Sequence, residues 1–136
     1  MVSKSAVMVD GLAFVYGSLR KGLGNHHVVQ SCTQQEDGVL EHGFRMRSLG
    51  GFPAVFKVTE VAETPIVIEV YEVHNEDVAR GLDMLEGYPS FYNREVVTLA
   101  DGRQGWMYFI EDEVPYSDRP MVIEGDWKKY RQSLGW

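Results

Sequence analysis

The chain is poor in the features that would mark several large protein classes. Its one cysteine, Cys32, can form no intrachain disulfide, and a reducing compartment suits such a sequence. No apolar run reaches membrane-spanning length. Near the start, Asp10 and Gly11 interrupt any signal-peptide core and no A-x-A-like cleavage site follows. The expected location is therefore cytoplasmic, with no membrane partner. Basic residues are also scarce, 13 against 20 acidic ones, for a formal net charge of −7. Non-specific nucleic-acid binding needs a basic face, so no nucleic-acid partner is expected. An acidic protein also repels anions at long range, so an anionic ligand would need aimed N–H groups or a few local cations. The four histidines, His26, His27, His42 and His74, lack metal-ligand spacing, and neither metal nor cofactor is expected. Repeats, low-complexity tracts and linkers are missing too.

The 136 residues, 44% hydrophobic and 24% charged, suit one globular domain with a real core. Residues 1–11 show no clear period and read as an N-terminal extension with the mobility of a chain end. The domain is expected to span residues 12–136. Leu12 to Tyr16 is a short, continuously apolar strand, expected to be buried on both faces. Asn25 can cap a short helix. Val39 to Leu49 suggests two short strands joined near His42-Gly43, and Gly50-Gly51-Phe52-Pro53 is a turn. Ala54 to Val61 and the β-branched run Ile66 to Val73 read as strands. Asn75 caps the one strong helix, Glu76 to Glu86, which carries an apolar stripe of Val78, Leu82 and Leu85. Gly87 and Pro89 stop it. Tyr92 to Leu99 and Gln104 to Ile110 form a hairpin across Asp101-Gly102. Pro115 to Pro120 is loop. Asp126 caps a final helix with Trp127, Tyr130 and Leu134 on one face. Many short strands with few helices predict an α+β fold, a small and mostly antiparallel β-barrel with peripheral helices.

Two places could carry chemistry. The apolar strand stops abruptly at Gly17-Ser18, before Arg20-Lys21 and a loop with Gly22 and Gly24. Consecutive N–H groups of residues 17–19 could form a nest for an anion. The plainer alternative is an ordinary strand exit whose glycines supply positive φ. Glu86 is the second place. On the helical wheel it falls between Ala79 and Leu82, at the edge of the buried stripe, in the last turn where the helix dipole disfavours a carboxylate. Desolvation and dipole would both raise its pKa. The alternative is that Glu86 reaches water or pairs with Arg94. Tyr92 and Arg94 share a strand face and could line a pocket beside Glu86, or simply pack across strands. Ser18 lacks a nucleophile-elbow context, and Leu23 stands where a phosphate loop requires lysine. Cys32 reads as a small core hydrophobe.

Taken together, VYGSLRKGLGN at 15–25, GFPAV at 51–55, EVYEV at 69–73, LDMLEGYPSFYNREVV at 82–97 and GDWKKY at 125–130 resemble the γ-glutamylcyclotransferase-like family. The likeness is to its short branch, related to γ-glutamylamine cyclotransferases and AIG2-like proteins. The resemblance implies a β-barrel with peripheral helices and a cavity at one end. It also implies that Tyr16, Gly17, Ser18 and Leu19 form the loop whose amides hold a glutamyl α-carboxylate, with Glu86 as the catalytic glutamate. Tyr92 is added as a substrate-binding residue. The implied partner is a small γ-glutamyl compound, a γ-glutamylamine or γ-glutamyl amino acid, converted without cofactor to 5-oxoproline and the free amine. Ile68 departs from the glycine many relatives carry before the Glu of EVYEV. Two other readings stand beside this one: a non-enzymatic small-molecule binding protein on the same barrel, and an interaction module.

Overall fold

The computed structural model describes residues 11–58 and 65–135. In chain order its elements are β1 (Gly11–Val15), β2 (Thr33–Leu40), β3 (Phe44–Ser48), β4 (Pro53–Lys57), β5 (Ile66–Val73), α1 (Glu76–Glu86), β6 (Asn93–Thr98), β7 (Gln104–Phe109) and α2 (Trp127–Ser133). The expected extension over residues 1–11 lies outside the described residues except for Gly11, which already pairs with Val73 at the start of β1.

β1 is the central strand of a five-stranded sheet ordered β2-β5-β1-β7-β6. Its neighbours are β5, antiparallel, and β7, parallel. A central strand with cover on both faces must be apolar on both. Phe14 joins one buried cluster, with Ile68, Met107, Phe109 and Trp127, while Ala13 and Val15 join another, with Tyr71, Leu82 and Tyr92. β3 and β4 form a separate antiparallel ribbon. It is tied to the sheet where Phe56 bridges Ile110, just past β7. The α+β class holds. Closure of the strands into a barrel is not shown among the described residues, where β2 and β6 end the sheet as its edges.

Several expectations shift on contact with the structure. β2 begins at Thr33, six residues before the expected strand, and pairs with β5, not with its sequence neighbour β3. As an edge strand it is mostly exposed, so TQQED shows no apolar alternation to read. β4 ends at Lys57, and residues 59–61 of the expected strand lie outside the described residues. The helix expected after Asn25 is a single 3-10 turn, His26–Val28, and the Asn25 side chain caps nothing. In contrast, α1 has the expected bounds. The Asn75 side chain accepts hydrogen bonds from Asp77 N and Val78 N. Gly87 adopts the left-handed conformation, φ 64°, that lets its amide close the helix on Asp83 and Met84 carbonyls. On the expected stripe, Leu82 is buried but Leu85 is exposed. At the C-terminus Trp127 is buried and Tyr130 stacks on it, while Leu134 is exposed.

Candidate active site

The loop that leaves β1 is held rigidly by its carbonyls. Gly17 O accepts from Arg20 N at 3.0 Å and Ser18 O from Asn25 N at 2.9 Å. Leu19 O accepts from His26 Nδ1 at 3.0 Å, and Asn25 Nδ2 donates to Ser18 Oγ at 2.8 Å. The amides of Gly17, Ser18 and Leu19 donate to no acceptor among the described residues. A segment with its acceptors satisfied and three donors open could take an anion. Gly17 has no positive φ. It is glycine because a Cβ would lie 2.8 Å from Pro53 Cγ.

A buried charge cluster fixes the base of this loop. Glu69, opposite Val15 in the register, receives Arg20 Nε at 2.9 Å, Lys128 Nζ at 3.0 Å, Lys21 N at 2.7 Å and Tyr71 Oη at 2.8 Å. Arg20 Nη1 also reaches Asp126 Oδ1 at 2.8 Å, and that carboxylate caps α2 through Lys129 N. Burial opposes ionisation of Glu69, yet the converging donors hold its pKa below the usual carboxylate range. Loop, β5 and α2 are thus locked together. Sequence reasoning missed this cluster, although a lone carboxylate amid Ile66-Val67-Ile68 and Val70-Tyr71 was a legible signal that a buried partner must exist.

Across the pocket stands the last turn of α1. Glu86 is half-buried, and its carboxylate has no hydrogen-bond or ion-pair partner among the described residues. Burial pushes its pKa up to about 7. The ion pair weighed for it in the sequence goes elsewhere: Arg94 meets Asp83, one turn earlier. Tyr108 Oη also donates to Asp83, at 2.6 Å, and the Arg94 guanidinium lies over Tyr88 at 4.3 Å. This clamp anchors the end of α1 to β6 and β7. Arg94 therefore supports the site from behind and is not on its wall.

The pocket between these parts has a volume of about 350 Å³ and is lined by all six sequence-predicted residues, Tyr16, Gly17, Ser18, Leu19, Glu86 and Tyr92. Tyr16 Oη donates to Tyr108 O at 2.8 Å and accepts from Val55 N at 3.4 Å. Tyr92 Oη donates to Pro53 O at 3.0 Å. Burial, and then the Glu86 charge among others, raises the pKa of both phenols, so both stay neutral. Phe52, Pro53 and Phe91 also line the pocket; the sequence showed them only as turn and loop residues. Cys32 is half-buried away from it. Among the described residues no helix is long and apolar enough to cross a membrane.

Comparisons with known proteins bear on the family and the fold. A family model described as gamma-glutamyl cyclotransferase, AIG2-like, matches residues 13–129. A Methanocaldococcus jannaschii protein, provisionally named a gamma-glutamylcyclotransferase, is 36% identical over 87% of this chain and 96% of its own. The Escherichia coli gamma-glutamylcyclotransferase family protein YtfP is 29% identical over 84% of this chain and 93% of its own. Among solved structures, an AIG2-like protein from mouse superposes with a TM-score of 0.71 at 22% identity, covering 88% of this chain and 89% of that one. An uncharacterised Pyrococcus horikoshii protein gives 0.72 at 18% identity, covering 92% and 96%.

Proposed function

Because this chain belongs to the gamma-glutamyl cyclotransferase, AIG2-like family, we propose that it converts a γ-glutamyl compound to 5-oxoproline and a free amine, with Glu86 as general acid and base. The observation that carries this reading is that one pocket is lined both by Glu86, which has no side-chain partner among the described residues and a pKa pushed up to about 7, and by residues 17–19, whose amides donate to no acceptor among the described residues.

The amides of Gly17, Ser18 and Leu19 would take the substrate α-carboxylate, with Tyr16 and Tyr92 shaping the wall along its side chain. The substrate's own α-nitrogen is the nucleophile, so the enzyme needs no catalytic serine or cysteine. Its work is to fold the substrate into a near-attack conformer and to move protons. Ionised Glu86 takes a proton from the α-ammonium. The freed amine attacks the γ-carbonyl carbon, forming the lactam C–N bond as the bond to the leaving nitrogen breaks. Two protons leave the α-nitrogen in all, and two arrive on the departing amine, which exits as an ammonium ion. An ordinary glutamate, near 4.3, is a poor match for an amine; a pKa near 7 narrows that gap.

The test is release of 5-oxoproline from a panel of γ-glutamylamines and γ-glutamyl amino acids, followed by chromatography. Turnover of at least one supports the reaction. Binding without turnover of any would instead make the protein a γ-glutamyl binder.

A further inference from the structure

The mouth of the pocket carries an apolar patch that the reaction above leaves unused. Phe52 comes from the turn before β4, Leu85 from the last turn of α1 and Phe91 from the segment between α1 and β6. All three line the pocket, yet they are 41%, 41% and 44% exposed. The Phe91 ring meets Tyr92 edge-on at 4.8 Å. Single exposed apolar side chains are ordinary, but three from separate segments gathered at one opening mark a binding surface.

The charges around that opening are equally uneven. Among the described residues no Lys, Arg or His lines the pocket, and Glu86 is its one charged group. The buried guanidinium groups of Arg20 and Arg94 are committed elsewhere, Arg20 to Glu69 and Asp126 and Arg94 to Asp83. We propose that Phe52, Leu85 and Phe91 form the leaving-group subsite, selecting γ-glutamyl amides of apolar, carboxylate-free amines, of which an arylalkylamine is the best fit. This rests on the reaction proposed above.

The exclusion follows from connectivity. In a γ-glutamyl amino acid the second carboxylate sits on the carbon bonded to the scissile nitrogen. Glu86 must approach that same nitrogen to deliver a proton. Delivering that proton leaves Glu86 ionised beside the second carboxylate, with no Lys, Arg or His among the described lining residues to offset the repulsion. An arylalkylamine keeps the aromatic group, which the mouth can stack against, and removes the offending charge.

The matched pair γ-glutamyl-phenethylamine and γ-glutamyl-phenylalanine isolates this effect, since the two differ only by that carboxylate. The expected kcat/KM for 5-oxoproline release is at least about tenfold higher for the phenethylamine compound. Phe52→Ala and Phe91→Ala, each checked by circular dichroism, should lower the kcat/KM ratio of γ-glutamyl-phenethylamine to γ-glutamyl-methylamine. Equal or greater turnover of the phenylalanine compound overturns the specificity while leaving the reaction standing. So does a ratio unmoved in both folded variants. If no γ-glutamyl compound releases 5-oxoproline, the reaction itself fails and this inference with it.

Discussion

At the scale of single residues, Glu86 is held at odds with its own charge. It stands in the last helical turn, half-buried and without a cationic partner among the described residues, and burial pushes its pKa up to about 7. A carboxyl-resolved NMR titration of the apo protein should give Glu86 a midpoint near 7, and a midpoint at or below 4.5 would show a solvated side chain. The pH profile of kcat/KM should rise through the same value, because it reports the free enzyme's base. Glu86 was legible in the sequence because the helix is strongly patterned and well capped. A carboxylate on the edge of its buried stripe could be placed on the wheel. Where Arg94 points was not legible, since that depends on which residue of α1 the strand β6 meets. Asp83 meets it, and Glu86 is left without an ion pair among the described residues.

At the scale of elements, the loop after β1 works because two neighbours fix it. Pro53 packs against Gly17 so closely that any Cβ must displace it. Gly17→Val should weaken binding of a γ-glutamyl ligand by tenfold or more in calorimetry while the circular dichroism spectrum persists; unchanged affinity would mean the amides of residues 17–19 do not hold the ligand. Glu69 secures the other side. Glu69→Gln keeps the shape but removes the charge that Arg20 and Lys128 share. Breaking such a buried pair costs about 3–5 kcal/mol, read as a lower denaturation midpoint. A stability within 1 kcal/mol of wild type would show the cluster to be solvated. Strand β1 and helix α1 were readable because each carries its own signal, an apolar run or a capped amphipathic stripe. Strand β2 was not, because its order comes from pairing with β5 and not from its polar sequence.

Over the whole molecule, the fold brings the end of a central strand and the end of a helix to one pocket, an encounter no local pattern announces. Sequence resemblance located the two ends; the sheet order that joins them is a property of long-range pairing. The same assembly sets two opposed pH dependences of stability. Glu69 has a depressed folded pKa, so its contribution is full above the unfolded value and fades as pH falls through the folded one. Glu86 has a raised folded pKa, so its relative contribution is full below about 4.5 and is lost as pH rises toward 7, a penalty of roughly 1–3 kcal/mol after allowance for partial exposure. Glu86→Gln should therefore gain stability over wild type at pH 8 and not at pH 4, as measured by urea unfolding. The central claim is that this carboxylate moves the protons of an intramolecular cyclisation. Its most direct test compares 5-oxoproline release by wild type and Glu86→Gln on the same γ-glutamyl substrate, with binding followed by calorimetry. The account predicts a fall in turnover on the order of 10²–10⁴ with binding retained; Glu86→Gln turning over at the wild-type rate would contradict it.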